Sequence, residues 1–245
     1  MSSLVAAIQF LTICPVPSRF RCGEEELERS VAFFPVVGLL LGLVLALFDR
    51  GLACLLPPLP ATVIVVIGMM MVSGCLHMDG LADTADGFLS SRPKERILEI
   101  MKDSRTGPMG VIAVVCITLW KASLLVSVPG ALRWGTVLLM PLAGRCALVI
   151  EMAMLRYARP EGGLATVFRK PRWPVSATVI LAAVAWLSLR TMGLAAAGLS
   201  LAVTMVFSYW CRRKIGGFTG DTLGAACEIA EVVPALVAAS WRFPQ

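Results

Sequence analysis

The sequence predicts an all-α fold: a polytopic integral membrane bundle of about seven transmembrane helices, with short interfacial helices. Of its 245 residues, 58% are hydrophobic and only 16% are charged, whereas soluble domains carry about 25% charged residues. The mean hydropathy is +0.81, and the apolar residues form runs long enough to cross a bilayer. Because no internal repeat or low-complexity tract divides the chain, we expect a single catalytic domain over residues 1–245.

The predicted elements follow from these runs, taken in order. Residues 1–17 predict a short interfacial helix rather than a span or a cleaved signal peptide, since they have no basic region and their apolar run is interrupted by Gln9 and ended by prolines. In the charged segment 90–107, Ile97, Ile100 and Met101 stand at helical spacing, which is typical of a helix lying on the membrane surface. We expect the spans at about 31–48, 61–76, 108–128, 136–155, 175–189, 194–211 and 223–241.

The positions of Lys and Arg predict the orientation of the bundle. Most of the 22 basic residues lie before the first predicted span or in every second loop after it. By the positive-inside rule, these segments and the N-terminus are cytoplasmic, and the C-terminus is outside. The net charge of +6 is spread between apolar runs rather than along one stripe, so we expect a lipid bilayer and no nucleic acid as partner. The opposite face holds Arg50, Arg133, Arg190 and Arg242.

The stretch CLHMDGLADTADG, residues 75–87, carries the strongest chemical signal. Asp79, Asp83 and Asp86 are spaced by four and three residues and therefore share one face of a helix. An acidic helix face is usually just solvated, but this one follows an apolar run directly, and small residues rather than Lys or Arg fill its gaps. Because three neighbouring carboxylates repel one another, we expect Mg²⁺ to bind them together with a phosphorylated substrate.

A second acidic set lies in GGFTGDTLGAACEIAE, residues 216–231. Asp221, Glu228 and Glu231 share a helix face that continues into an apolar run. Ionisable residues inside a span are usually functional, and a structural ion pair is the alternative. Gly217 and Thr219 precede this helix, where backbone amides can approach phosphate oxygens.

The segment between the two acidic sets holds basic residues suited to a diphosphate. Lys102 and Arg105 would neutralise its charge. Asp103 lies between them and is either a further metal ligand or the partner of Arg105.

Two further ionisable residues, Arg145 and His77, each have two possible interpretations. Arg145 lies inside a predicted span, where it would bind substrate or pair with Glu151 of the same helix. His77, the only histidine, is either a hydrogen-bonded structural group or a base that acts beside Asp79.

Five stretches carry a resemblance to a known family. They are FLTICPVP near the N-terminus, FFPVVGLLLG in the first predicted span, HMDGLADTADG, EIMKDSRTGPMG and GGFTGDTLGAACEIAE. Together they resemble cobalamin synthase, the membrane-embedded adenosylcobinamide-GDP ribazoletransferase family of prokaryotes. The resemblance runs over about residues 7–231, and the two long acidic motifs are highly specific. The chain departs from the family pattern at Met78 and at 106–110, and these changes leave every carboxylate in place.

The resemblance implies a late reaction of vitamin B12 assembly. A free ribose hydroxyl of α-ribazole, or of its 5′-phosphate, displaces GMP from adenosylcobinamide-GDP and yields adenosylcobalamin or its 5′-phosphate. It implies a magnesium-dependent transferase of the cytoplasmic (inner) membrane, with its active site facing the cytoplasm. On this interpretation His77 or a carboxylate accepts the proton, Lys102 and Arg105 bind the diphosphate, and the metal ligands are Asp79, Asp83, Asp86 and Asp221, with Glu228 and Glu231 as a second tier.

Two other functions use comparable residues. CDP-alcohol phosphotransferases displace a nucleoside monophosphate with spaced aspartates, although in a different pattern. A divalent-cation transporter would place its carboxylates near the membrane midplane, whereas the first acidic set here follows its predicted span. The sequence leaves both a monomer and a homo-oligomer open.

Overall fold

The described part of the chain is helical, which confirms the predicted fold class. The computed structural model describes residues 2–15, 23–159, 167–168 and 174–241. Within these ranges the only pairing of extended backbone is an isolated bridge between Tyr157 and Phe218. The helices are α1 (Ser2–Leu11), α2 (Glu24–Ser30), α3 (Phe34–Ala53), α4 (Pro58–Met71), α5 (Leu76–Phe88), α6 (Lys94–Ile100), α7 (Pro108–Ser127), α8 (Gly130–Met154), α9 (Pro174–Ile215) and α10 (Gly220–Ser240).

The centre of the bundle is formed by α8 and α10. Their apolar windows are 89% and 78% buried inside the protein, whereas that of α7 is only 22% buried. Helices that bury an apolar surface on all sides lie in the interior, and those that expose it face lipid. The central pair therefore carries residues of the bundle core, and α7 lies at the perimeter.

Five helical segments of the described chain are long and apolar enough to span a membrane. They are α7, α8, α9, α10 and the segment Glu24–Ala53, and a sixth results if α4 and α5, which are bent by 84°, form one broken span. The helix α9 contains a further break, because Arg190 has φ 53° and ψ −131°. A methyl group at Gly193 would collide with the carbonyl oxygen of Ala185, which a straight helix would hold about 12 Å away.

The chain therefore turns sharply at Arg190, and the halves of α9 correspond to the two spans predicted at 175–189 and 194–211. The described helices give five candidate spans, or six with the α4–α5 pair, and counting the halves of α9 separately raises these numbers to six or seven. The predicted outer-face residue Arg242 lies outside the described residues.

The acidic stretch 75–87 begins after a sharp break in the backbone. Gly74 and Cys75 have φ values of 60° and 61°, a left-handed conformation that no α-helix can continue through. The span predicted at 61–76 therefore ends at Met71, and α5 starts in a new direction. After this break α5 buries its apolar and small residues in the bundle, while Asp79 stays exposed and Asp83 and Asp86 are partly buried.

The helix α6 forms within the segment where the sequence predicts a helix, and it packs against the protein. Its apolar residues Ile97 and Met101 are 1% and 2% exposed, so they pack on the protein, and the position of α6 at the membrane surface stays a prediction. A methyl group at Gly87 would lie 2.6 Å from Cγ of Met101. The missing side chain of Gly87 thus makes the room that brings α6 against α5.

The two ends of the bundle have different polar contacts. At one end Arg133 of α8 donates to Asp49 of α3 at 2.7 Å and to Thr62 of α4 at 2.9 Å. At the other end α8 and α9 terminate, and α7 and α10 begin. The loops with most of the described basic residues lie at this second end, together with α5 and its acidic face.

Candidate active site

The site is created by a close approach of α5 and α10. A methyl group at Gly80 would lie 2.7 Å from the carbonyl oxygen of Asp221, and one at Gly224 would lie 2.9 Å from that of His77. Both distances are shorter than a van der Waals contact, so only glycine lets the two backbones come together here. Small residues fill the gaps between the aspartates of α5, and one of them, Gly80, lets α10 approach.

This approach brings the early and late acidic sets together. Asp79 and Asp221 line the same cavity, and Asp83 is close enough to Asp79, Asp86 and Asp221 for their charges to act on it. Residues more than 130 positions apart in sequence therefore build one negatively charged site. The metal-binding role predicted for these carboxylates remains a prediction.

Asp86 has a different environment from the other aspartates of α5. Its Oδ2 accepts a hydrogen bond from the backbone N–H of Gly107 at 2.6 Å, and its Oδ1 accepts one from Gly110 at 2.9 Å. These amides lie at the N-terminus of α7, where a helix has unpaired N–H groups and a partial positive charge. Asp86 therefore anchors α7 to α5, whatever further role it has toward a metal.

Arg159 is a site residue that the sequence analysis did not identify. Its Nη2 donates to Oδ2 of Asp221 at 2.6 Å, and its side chain is 17% exposed. The backbone places it there, because Phe218 donates to the Arg156 carbonyl at 2.9 Å and Ala158 donates to the Phe218 carbonyl at 2.8 Å. Arg159 lies outside every motif recognised in the sequence. The only sequence feature that pointed to it is its position in a basic loop at the predicted cytoplasmic end of the bundle.

Gly217 and Thr219, predicted to bind substrate, have structural roles in this arrangement. A side chain at Gly217 would collide with the carbonyl oxygen of Arg156, so glycine permits the pairing that positions Arg159. The hydroxyl of Thr219 accepts from the backbone N–H of Thr222 at 3.3 Å, and the Thr219 N–H donates back to Oγ1 of Thr222 at 2.9 Å. Thr219 is fully buried and caps α10, which holds Asp221 in place.

Asp103 and Arg105 pair with each other on the surface. Arg105 donates from Nη2 to Oδ2 of Asp103 at 2.7 Å and from Nε to Oδ1 at 3.0 Å. These hydrogen bonds lower the pKa of Asp103 to about 2, so it stays ionised at any physiological pH. Of the two interpretations of Asp103, the structure shows the pairing with Arg105. Lys102 is likewise exposed, and none of the three lines the cavity beside Asp79.

Glu228 and Glu231, the predicted second tier of ligands, lie in a buried ion cluster. Lys121 of α7 donates to Glu228 at 2.5 Å and to Glu231 at 2.7 Å, and Arg145 of α8 also pairs with Glu231. The side chains of all four residues are at most 4% exposed. Arg145 thus pairs with α10 and not with Glu151 of its own helix. Such mutual compensation is what allows charges to lie inside a bundle.

One cavity of about 260 Å³ lies at this end of the bundle. His77, which is 3% exposed, lies at its polar side, and the cavity also has an apolar side. Its polar side is lined by His77, Asp79, Arg159, Asp221 and Tyr157, whose hydroxyl lies beside Arg159. Its apolar side is lined by Phe10, Phe34, Leu76, Leu148 and Leu223, and Gly80, Gly220 and Gly224 complete the lining.

The donor set suits a hard divalent cation. Among the described residues, no three His, Cys, Asp or Glu side chains are already gathered around one point. Mg²⁺ does not need such a cage, because it keeps several waters and binds one or two carboxylates together with substrate phosphates. Asp79, Asp83 and Asp221 provide these carboxylates, and Arg159 balances only part of their charge.

The fold is that of a polytopic membrane protein. The carboxylates and the arginine that line the cavity at one end of the bundle suit a phosphorylated ligand. The family model described as cobalamin-5-phosphate synthase matches residues 3–239. The chain therefore belongs to the cobalamin-5-phosphate synthase family, which confirms the resemblance seen in its motifs. It is a membrane transferase of cobalamin synthesis.

Individual relatives match over nearly their full length. The adenosylcobinamide-GDP ribazoletransferase of Geotalea daltonii is 39% identical, with 97% of each chain covered. The protein of the same name from Roseiflexus sp. is 40% identical over 93% of this chain and 85% of the relative. That of Listeria monocytogenes is 36% identical over 95% of each. No solved structure matches the chain.

Proposed function

We propose that this protein is an adenosylcobinamide-GDP ribazoletransferase that depends on Mg²⁺. It joins adenosylcobinamide-GDP to α-ribazole, or to α-ribazole 5′-phosphate, and releases GMP. The product is adenosylcobalamin or its 5′-phosphate. The family match and the names of the relatives support the reaction, and the donor chemistry of the site supports the metal.

The observation that carries the proposal is the convergence of Asp79, Asp83, Asp221 and Arg159 on one end of the bundle. A diphosphate brings several negative charges, so a site for it needs cations held in fixed positions. Arg159 supplies one of them, since a guanidinium donates two parallel hydrogen bonds to phosphate oxygens. Mg²⁺, when bound by the three aspartates, would supply the rest of the positive charge.

The chemical step is a substitution at phosphorus. The 5′-oxygen of α-ribazole 5′-phosphate is already esterified, so the attacking group is a free ribose hydroxyl of the acceptor. It attacks the phosphorus nearest the cobinamide, and a new P–O bond forms. The bond from this phosphorus to the oxygen that bridges the two phosphates breaks, and GMP leaves with that electron pair. The proton of the attacking hydroxyl passes to a carboxylate of the site or to His77, both of which line the cavity.

The site also fits a cytoplasmic location. The loops before α7, after α8 and before α10 carry most of the described basic residues, and they lie at the same end of the bundle as Asp79 and Asp221. By the positive-inside rule this end faces the cytoplasm of the inner membrane. Soluble nucleotide substrates would then reach the cavity without crossing the bilayer.

The proposal is tested with purified protein, adenosylcobinamide-GDP, α-ribazole and Mg²⁺, by measuring GMP release. We expect Asp83→Asn to lower the rate about 100-fold or more, because it removes a charge that the cation requires. The matched control is Glu99→Gln, which changes an exposed carboxylate of α6 that pairs with Arg96.

Two results would contradict the proposal in different ways. Unchanged GMP release by Asp83→Asn would remove the metal assignment but leave the reaction. An absence of GMP release by the unmodified protein, in membranes that retain the folded bundle, would remove the reaction itself.

A further inference from the structure

The apolar side of the cavity has no role in phosphate or metal binding. Phe34, Leu148 and Leu223 are 1%, 2% and 5% exposed, so this side reaches into the core of the bundle. The rings of Phe10 and Phe34 are nearly parallel, with 10° between their planes and 5.8 Å between their centroids. A site for charged groups alone would not need such walls, so a second, apolar part of a ligand is expected here.

The size of the cavity limits which substrate part can enter it. Its volume of about 260 Å³ lies just below the roughly 300–1,000 Å³ typical of sites for small molecules. A corrin macrocycle is too large to be enclosed, whereas a planar heterocyclic base is not. The enclosed group is therefore a base, either the guanine of the donor or the benzimidazole of the acceptor.

The polarity of the walls distinguishes these two bases. Guanine carries donors and acceptors along its edge, and burying them without partners is costly. Phe10, Phe34, Leu76, Leu148 and Leu223 present no side-chain donor or acceptor on this side of the cavity. A benzimidazole has far fewer polar atoms, and its flat face stacks well on aromatic rings.

We propose that the apolar side of this cavity binds the base of the nucleoside acceptor and that Phe10 and Phe34 determine its specificity. The inference rests on the proposed function and names the subsite of its second substrate. With the base between these walls, the ribose extends toward the polar side of the same cavity, where Asp79, Asp221 and Arg159 lie. The α1 helix, which carries Phe10, thereby becomes part of the substrate site.

The experiment compares three substitutions of phenylalanine by leucine. Phe10→Leu and Phe34→Leu each remove a ring from the cavity wall. Phe168→Leu is the matched control, because Phe168 packs edge-on against both rings at 5.1 and 5.9 Å but does not line the cavity. We expect Phe10→Leu and Phe34→Leu to raise the KM for α-ribazole about five- to tenfold, with the KM for adenosylcobinamide-GDP unchanged, and Phe168→Leu to change neither.

A second measurement separates binding from folding. Equilibrium dialysis of labelled α-ribazole against each detergent-solubilised variant, together with its thermal unfolding midpoint, shows whether weaker binding follows the lost ring or a lost fold. Phe10 is only partly buried, so Phe10→Leu keeps the test valid if Phe34→Leu fails to fold.

Three outcomes would overturn the inference alone while GMP release continues. They are unchanged KM values in Phe10→Leu, a rise in the KM for adenosylcobinamide-GDP instead, and an equal effect of Phe168→Leu. Absence of GMP release by the unmodified protein would overturn the proposed function, and this inference with it.

Discussion

Asp83 and Asp86 belong to one predicted acidic face but have different partners. Asp86 accepts two backbone hydrogen bonds from the start of α7, whereas Asp83 faces the charges of Asp79 and Asp221. Helical spacing gives the face on which a side chain lies, but it does not give the use of each oxygen. The partner of each carboxylate oxygen depends on which helix packs against that turn of α5, and α7 and α10 pack against different turns.

For the basic residues too, the sequence pattern does not give the partner of each side chain. The role of Lys102 and Arg105 in binding the diphosphate stays a prediction, and Arg105 is 86% exposed and paired with Asp103. The guanidinium that lines the cavity belongs to Arg159. Its place depends on two backbone hydrogen bonds between 156–158 and Phe218, and no local pattern in the sequence encodes them.

Arg159 therefore leads to a prediction about the donor substrate. We expect Arg159→Lys to lower kcat/KM for adenosylcobinamide-GDP about tenfold and Arg159→Ala about 100-fold or more. Lysine keeps the charge but cannot reproduce the planar fork that binds two phosphate oxygens. Steady-state measurement of GMP release with varied donor concentration checks this.

The control for this prediction is Arg96→Lys, since Arg96 is exposed on α6 and pairs with Glu99. Such surface pairs contribute little, so its kinetics should match those of the unmodified protein. An Arg159→Ala variant with normal kcat/KM would show that Arg159 only neutralises Asp221.

At the scale of elements, the crossing of α5 and α10 makes its own prediction. Gly80→Ala places a methyl group 2.7 Å from the Asp221 carbonyl oxygen, so the helices must separate or the bundle must strain. We expect a loss of about 1–3 kcal/mol in the free energy of unfolding and a large loss of GMP release, because Asp79 and Asp221 move apart.

The matched control is Gly198→Ala in α9, where an added methyl group meets nothing within 4 Å. Alanine favours a helix over glycine by about 1 kcal/mol, so its thermal midpoint should stay the same or rise. Equal effects of Gly80→Ala and Gly198→Ala would mean that the close approach does not hold the site together.

The helices themselves could be predicted, but several of their connections could not. Runs of apolar residues give the spans, since the bilayer requires long internally hydrogen-bonded segments. The break at Gly74 and Cys75 and the turn at Arg190 are left-handed backbone positions, two of them at residues with a side chain. Non-glycine residues adopt this conformation only when tertiary packing enforces it, so hydropathy alone does not show it.

The packing of α6 and the pairing of Glu228 and Glu231 also depend on tertiary contacts that hydropathy does not show. Ile97 and Met101 have the spacing of an interfacial helix, but Gly87 on another element makes room for them inside. The two glutamates have the spacing of ligands, but Lys121 lies opposite them at 2.5 and 2.7 Å. Both outcomes depend on a partner distant in sequence.

At the scale of the whole molecule, the acidic residues of α10 lie at two depths in the bundle, one at the acidic site and one in the buried ion cluster. Asp221 starts the helix and lies at the cavity, while Glu228 and Glu231 lie two to three turns further in. Lys121 and Arg145 compensate the inner pair and tie α7 and α8 to α10. The outer carboxylates lack such full compensation, and this difference leaves them available for a cation.

The orientation of the whole bundle is tested by two exposed native cysteines. Cys14 follows α1 near the site, where Ile13 donates to the Val72 carbonyl at 3.0 Å, and Cys54 follows α3 at the opposite end, near the Asp49–Arg133 pair. In variants that retain only one of them, with every other cysteine replaced by alanine, we expect a membrane-impermeant maleimide to modify Cys54 but not Cys14 in intact cells. Both should react after detergent solubilisation, which serves as the accessibility control. The reverse pattern in intact cells would place the acidic cavity outside the cytoplasm, where the basic loops around it would violate the positive-inside rule.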